Sequence, residues 1–93
     1  MSQKPIFHIG TLYAKPQFTD ALIESFEGLK QAKGYISHEC FRDIDNENKL
    51  TLVEKWESKS DHENFVNSFP EEVMEQWLNM VYERGEDSYY QSV

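Results

Sequence analysis

The segment at residues 49–58 alternates apolar and polar side chains, as a β-strand with two different faces does. One face carries Leu50, Leu52, Glu54 and Trp56, and the other carries Thr51, Val53 and Lys55. Because each face includes apolar side chains, leaving either one in water would forfeit about 1.5–3 kcal/mol per large side chain. We therefore predict a central strand that is covered on both faces.

The remaining elements follow from the same patterns. Residues 6–13 and 35–42 alternate as strands, and the polar connection at residues 43–48 predicts a hairpin between the second and third strands. Apolar side chains spaced three and four apart predict one helix over residues 16–32 that stops at Gly34. A second helical region begins with a capping box at residues 60–63, is interrupted by Pro70 and closes at residues 84–85. Residues 87–93 are the candidate last strand.

The predicted order is strand, helix, strand, strand, broken helix, strand. This is the βαββαβ order of ferredoxin-like α+β domains, with sheet order 4-1-3-2 and the helices on one face. We expect one such domain over residues 1–93. The other face would expose Val53 together with either Phe7, Ile9 and Tyr13 or their neighbours, so we expect a second copy to cover it as a homodimer. The alternative is a monomer with a wetted sheet.

Composition narrows the classes of partner. The content of hydrophobic residues is 39% and of aromatic residues 14%, enough for a compact core. Lys and Arg number 9 against 17 Asp and Glu, and the net charge of −8 disfavours binding to nucleic acid and to anionic membranes.

Residues 1–5 lack the apolar run of a signal peptide, and no stretch approaches the ~20 apolar residues of a membrane span, so we expect a cytoplasmic protein. The single Cys40 excludes an internal disulfide.

Three histidines are the candidate proton-transfer residues, because histidine titrates near neutral pH. His62 opens the helix after the central strand, where the helix N-terminus would lower its pKa and keep it a neutral base; the alternative is a solvated residue in the capping box. His8 and His38 lie on strands and are better explained as packed, hydrogen-bonded residues, with a functional role as the alternative. No two histidines stand at a metal-ligand spacing, so the sequence gives no reason to expect a metal site.

Three further residues admit two interpretations each. Glu54 shares the face of Trp56, so it is either an acid with a raised pKa or the ion-pair partner of a lysine or arginine. Trp56 is either core or cavity wall. Gly10 indicates tight packing or a ligand against the first strand. No phosphate-binding loop, nucleophile motif or dinucleotide fingerprint is present, so we expect no organic cofactor.

Several runs resemble a known family. They are Gly-Tyr-Ile-Ser at residues 34–37, Phe-Arg-Asp at residues 41–43 and Leu-Val-Glu-Lys-Trp-Glu-Ser-Lys at residues 52–59. Together they resemble the antibiotic biosynthesis monooxygenase family of the dimeric α+β barrel superfamily, over nearly the whole chain in length and element order. The resemblance implies a homodimer whose sheets face each other, with a ligand cavity in each subunit between sheet and helices.

The resemblance also points to residues. In the studied polyketide monooxygenases of this family, a tryptophan at the position of Trp56 lines the substrate cavity, with an asparagine four residues earlier and a tyrosine six later. Those two positions are Leu52 and His62 here. Many members carry a histidine nine residues after the tryptophan, where this chain has Phe65. The haem-degrading branch uses a strand asparagine, a tryptophan and a helix histidine. The positions nine and nineteen residues after Trp56 hold Phe65 and Glu75 here, so haem chemistry is not indicated.

These observations give one functional expectation. We expect a cofactor-independent monooxygenase that binds a small aromatic or quinol-type ligand in a cavity between sheet and helices, with His62 as the catalytic residue. The expected substrate-binding residues are Trp56, Leu52, Glu54, Phe65 and His8. The alternatives on the same scaffold are a non-catalytic ligand-binding or stress-associated dimer and an isomerase of small metabolites.

Overall fold

The computed structural model describes residues 4–93 and has the predicted α+β architecture. Strands β1 (Ile6–Ala14), β2 (Tyr35–Arg42), β3 (Lys49–Trp56) and β4 (Val81–Tyr90) form one antiparallel sheet in the order β2-β3-β1-β4, which confirms the predicted βαββαβ topology. Among the described residues, no helix is long and apolar enough to cross a membrane. Residues 1–3, which entered the signal-peptide argument, lie outside the described part of the chain.

The helices pack on one face of the sheet, the face on which β3 places its large apolar side chains. Burial alternates along β3, and its buried side chains are Leu50, Leu52, Glu54 and Trp56. The apolar side chains Leu50, Leu52 and Trp56 belong to the hydrophobic core, together with Leu22, Phe26 and Leu29 from the segment between β1 and β2. The opposite face carries Val53, which pairs with Ile9 of β1 and Glu39 of β2 and is half-buried. The single chain therefore covers only one of the two faces.

The predicted helix over residues 16–32 is found as a helical segment over Pro16–Gln31, but only its middle part is an α-helix. A short 3₁₀ turn (Pro16–Phe18) leads into α1 (Thr19–Ser25), and a second 3₁₀ segment (Phe26–Gln31) follows. The tighter 3₁₀ winding places residues three apart on the same side, so Phe26 and Leu29 both reach the core. Gly34 ends the segment with φ of +86°, as expected for a glycine stop.

The boundaries of the second helical region also differ from prediction. Helix α2 (Lys59–Asn67) is capped by Ser58, whose hydroxyl accepts a hydrogen bond from the Asp61 N–H at 3.1 Å, so the cap lies two residues before the predicted box. Helix α3 (Glu71–Asn79) ends well before Gly85, which instead lies in β4. Strand β4 begins at Val81, before the predicted start at residue 87, and ends at Tyr90 rather than continuing to residue 93. Its pairing with β1 contains register shifts.

Candidate active site

A cavity of about 1010 Å³ lies between the helices and the helix-facing side of the sheet. Of the residues expected to contact substrate, the cavity wall contains His8, Leu52, Glu54, His62 and Phe65. Trp56 is fully buried and lies behind the wall, outside the lining residues. The structure thus brings the predicted residues together, with Trp56 in a supporting position.

Glu54 is the centre of the polar part of this wall. It is buried on β3, and its Oε1 accepts a hydrogen bond from the Trp56 indole N–H at 3.0 Å. Its Oε2 lies 3.1 Å from Nδ1 of His8, and Oε1 lies 3.9 Å from Nε2 of His62. The interpretation of Glu54 as the ion-pair partner of a lysine or arginine was therefore wrong, because the basic side chain that contacts Glu54 is His8.

His8 connects Glu54 to the cavity mouth. Its Nε2 lies 2.8 Å from Oδ2 of Asp87 on β4, so the ring bridges two acidic side chains. Burial lowers the pKa of His8, but its hydrogen bonds to Glu54 and Asp87 outweigh burial and raise that pKa above the ordinary value. The hydrogen bond with His8 in turn lowers the pKa of Asp87. This arrangement favours an imidazolium between two acidic groups.

Gly10 makes room for this bridge. A Cβ at Gly10 would lie 3.1 Å from Cβ of Asp87, closer than side chains normally approach. Gly10 pairs with Asp87 in the sheet, two residues after His8 on the same face. The close approach expected from the sequence is therefore that of Asp87.

His62 occupies the other side of Glu54 and is buried, so the alternative of a solvated residue in the capping box was wrong. Its Nδ1 lies 2.6 Å from the Tyr89 hydroxyl, and its ring stacks on that of His8 with centroids 4.1 Å apart. The rings of Trp56 and His62 pack in a T-shaped arrangement with centroids 5.4 Å apart. Burial and the neighbouring His8 lower the pKa of His62, which favours the neutral imidazole.

The third histidine is separate from this cluster. His38 lies on the edge strand β2, where its Nδ1 is 2.7 Å from the Tyr35 hydroxyl. It is not among the residues that line the cavity. Its environment is that of a locally hydrogen-bonded strand residue, the alternative raised from the sequence.

Sequence reasoning missed Asp87 and Tyr89, the two β4 residues that complete the cluster. They are two apart and therefore point to the same side of the strand, which was a usable signal. Their partners lie 79 and 27 positions away in the chain, and the β1–β4 register contains shifts that the sequence does not reveal.

The family model for antibiotic biosynthesis monooxygenase matches residues 5–81, which include every cluster residue except Asp87 and Tyr89. The chain belongs to the antibiotic biosynthesis monooxygenase family. No protein with a curated description matches the sequence of this family member.

Solved structures show the same fold at low sequence identity. A provisionally named antibiotic biosynthesis monooxygenase from Chloroflexus aurantiacus J-10-fl is 22% identical, covering 97% of this chain and 94% of that chain, with a TM-score of 0.81. SnoaB, a cofactor-independent oxygenase from Streptomyces nogalater, is 11% identical over 97% of this chain and 94% of that one, with a TM-score of 0.79. A conserved protein from Methanosarcina mazei Go1 is 16% identical over 99% and 96%, with a TM-score of 0.78.

Proposed function

We propose that this member of the family is a cofactor-independent monooxygenase that oxidises a small phenol or quinol in the cavity between sheet and helices. The observation that carries the proposal is the contact between His62 and Tyr89 at the wall of that cavity, with Glu54 behind His62. A hydroxyl group, a base and an acidic group thus stand in a row, which is the arrangement that proton transfer from a bound hydroxyl needs.

The chemistry balances without a cofactor. A phenolate gives one electron to O₂, and the resulting radical and superoxide combine at a ring carbon that bears hydrogen. The outer oxygen of the resulting peroxide takes up the proton that the phenol gave up. Loss of the ring hydrogen as a proton then breaks the O–O bond and leaves a ring carbonyl, and the departing hydroxide combines with that second proton to give water. The sum is phenol plus O₂ to quinone plus water, so the substrate supplies all the electrons. The protein has to deprotonate the phenol and hold it away from bulk water.

Tyr89 and His62 can carry out the deprotonation as a relay. With the Tyr89 hydroxyl donating to Nδ1 of His62, the oxygen of Tyr89 is free to accept the substrate proton while its own proton moves to His62. The imidazolium that forms then directs its Nε2–H toward Oε1 of Glu54, 3.9 Å away. Burial of Glu54 strengthens this charge interaction, because the local dielectric is lower than that of water.

Leu52 and Phe65 supply the apolar part of the same wall. Leu52 points from β3 into the cavity floor, and Phe65 lies one helical turn beyond the cluster on α2. Their side chains offer an aromatic ring a surface to pack against and keep water away from the phenolate. The proposed pose places the substrate hydroxyl at Tyr89 and the ring against Phe65.

Oxygen consumption tests the proposal. Purified protein is supplied with a panel of phenols and quinols in an oxygen-electrode cell, and quinone formation is followed by absorbance. For a substrate that turns over, His62→Gln should lower the rate by about 10²–10⁴-fold, the usual loss when a general base is removed. Tyr89→Phe should produce a loss of the same kind, because it removes the relay hydroxyl but keeps the ring.

The matched control is His38→Gln, which changes a histidine that does not line the cavity and should retain the wild-type rate. A wild-type rate in His62→Gln would refute the assignment of His62. Tight binding of phenols with no oxygen uptake by the wild-type protein would favour the alternative of a ligand-binding protein.

We also propose that the functional unit is a homodimer of this domain. The face of the sheet away from the helices carries Phe7, Ile9, Tyr13 and Val53, all half-buried in the single chain. A second copy placed sheet to sheet would remove these apolar groups from water, which is the usual basis of a symmetric interface. The cavity lies on the opposite side of the sheet and would remain open in each subunit.

A further inference from the structure

The two histidines of the cluster share one pattern of contacts. Each uses one ring nitrogen on an outer partner: Nε2 of His8 contacts Asp87 at 2.8 Å, and Nδ1 of His62 contacts the Tyr89 hydroxyl at 2.6 Å. The other nitrogens, Nδ1 of His8 and Nε2 of His62, lie 3.1 and 3.9 Å from the Glu54 carboxyl oxygens. One ligand atom from each of His8, Glu54 and His62 fits within 4.8 Å of the others.

We propose that His8, Glu54 and His62 form a binding site for a divalent first-row transition-metal ion. Two imidazole nitrogens and one carboxylate are the donor set of many three-ligand sites for zinc and for iron(II). Nδ1 of His8 faces Oε2 of Glu54 across 3.1 Å, and a proton on that nitrogen joins the two atoms in the metal-free protein. A divalent ion can take the place of that proton, which binding would release.

The outer contacts support metal binding. A histidine that binds a metal ion usually donates its second ring N–H to a carboxylate, a carbonyl or another oxygen, which fixes the tautomer and turns the free nitrogen toward the ion. Asp87 does this for His8, and the hydroxyl of Tyr89 can accept the corresponding N–H of His62. Trp56 holds Oε1 of Glu54 in a similar way. Each of the three ligands therefore has a supporting partner.

Metal binding requires a small rearrangement of the two histidine rings. Zinc binds imidazole nitrogen at about 2.0–2.1 Å and lies in the plane of the ring. The rings of His8 and His62 are stacked with only 25° between their planes, so they must tilt apart to direct both nitrogens at one ion. All three ligands line the cavity, so the remaining coordination position is open to water or to a small molecule.

The donor set also predicts selectivity. Nitrogen donors favour Zn²⁺, Co²⁺, Ni²⁺ and Cu²⁺ over Mg²⁺ and Ca²⁺, which prefer oxygen ligands. The single carboxylate ligand and the carboxylate of Asp87 together balance the two positive charges of such an ion. The site should therefore bind Zn²⁺ and Co²⁺ but remain unaffected by Mg²⁺.

This site goes beyond the proposed oxygenase function and does not depend on it. Metal binding through Nε2 of His62 needs the tautomer with a proton on Nδ1, whereas the relay needs Nδ1 free to accept the proton of Tyr89. The two uses of His62 exclude each other. Binding can be measured with no substrate present, so failure of one proposal is distinguishable from failure of the other.

Calorimetric titration of tag-free, chelator-treated protein with Zn²⁺ is the first test. The wild-type protein should bind one Zn²⁺ per chain, and Mg²⁺ should give no heat of binding. Glu54→Gln and His62→Gln should each weaken binding by more than 100-fold. Asp87→Asn, which changes only the outer partner of His8, should weaken it by about 10–100-fold. His38→Gln should leave it unchanged, and circular dichroism verifies the fold of each variant.

A second measurement avoids variants altogether. In ¹⁵N NMR spectra of the wild-type histidine side chains, Zn²⁺ should shift Nδ1 of His8 and Nε2 of His62 while leaving His38 unperturbed. Absence of Zn²⁺ binding to the wild-type protein would overturn the proposal. Shifts confined to His38, or undiminished binding by folded Glu54→Gln, would overturn it as well.

Discussion

At the scale of single residues, Trp56 acts on the site from behind the wall. Its indole N–H is the donor to Oε1 of Glu54, and its ring packs against His62 and against Phe65. Trp56 is wholly inaccessible to solvent, so a substrate would touch its neighbours instead. The side chain fixes the direction of a buried acidic group that would otherwise lack a donor on that oxygen.

Replacing Trp56 by phenylalanine isolates this contribution, because the ring is kept and the donor is lost. We expect Trp56→Phe to lower the free energy of unfolding by about 1–3 kcal/mol, the cost of leaving a buried acceptor unpaired, with a further loss from the smaller ring. Urea unfolding of the variant and of the wild-type protein measures this loss in the free energy of unfolding. Trp77→Phe is the control, since Trp77 is only partly buried and packs at the edge of the core. Equal losses in both variants would mean that the hydrogen bond adds nothing.

The sequence predicted some residues of the cluster better than others for a physical reason. His62 and Glu54 lie close to Trp56 in the chain, so strand alternation and the start of a helix were enough to place them near one another. The Asp87 contact depends on pairing between strands at opposite ends of the described chain. Local pattern carries no information about such a register when bulges intervene.

At the scale of elements, Gly34 joins the first helical segment to β2. Its φ of +86° is strained for any residue with a side chain, and an added Cβ would collide with Asp61 of α2. The Gly34 carbonyl also accepts a hydrogen bond from the Glu57 N–H at 2.7 Å. The turn therefore links β2, the end of β3 and the start of α2, the helix that carries His62.

We expect Gly34→Ala to lower the free energy of unfolding by about 1–3 kcal/mol, from backbone strain and the contact with Asp61. For a chain of this size, each kcal/mol lowers Tm by about 4–8 °C. Gly28→Ala is a matched control, because a Cβ at Gly28 would meet no atom within 4 Å and its φ is not positive. That variant should melt at or slightly above the wild-type temperature. Scanning calorimetry of the two variants and the wild-type protein measures the difference in Tm.

Element type was easier to predict than element boundaries. The alternation at residues 35–42 predicted β2 with its observed ends, because one face of that strand packs toward the helices. The apolar spacing over residues 16–32 fitted both an α-helix and a mixture of α and 3₁₀ turns, since residues three apart share a face in each. The observed mixture of turns places Phe26 and Leu29 in the core, and such packing depends on residues far away in the chain.

At the scale of the whole molecule, the uncovered face of the sheet predicts assembly. Val53 lies between Ile9 and Glu39 at the middle of that face. In light scattering, the wild-type protein should behave as a dimer. Val53→Asp should dissociate it, because a charge buried between two sheets lacks a partner.

Val73→Asp is the matched control for this experiment. It makes the same chemical change on α3, in the helical layer, where Val73 is 42% exposed and an aspartate in the first turn is well tolerated. That variant should remain dimeric. A monomeric wild-type protein, or a dimer that survives Val53→Asp, would rule out this interface.

The pairing of β1 with β4 also determines when the cluster can exist. Phe7 pairs with Tyr90, so the central position of β1 in the sheet depends on the strand that leaves the ribosome last among the four. A nascent chain that ends before residue 81 can form the β2–β3 hairpin and pair β1 with β3, yet it leaves β1 as an open edge. Such a chain contains His8, Glu54 and His62 but neither Asp87 nor Tyr89. The histidines therefore acquire their outer partners only once β4 has been synthesised and has closed the open edge of β1.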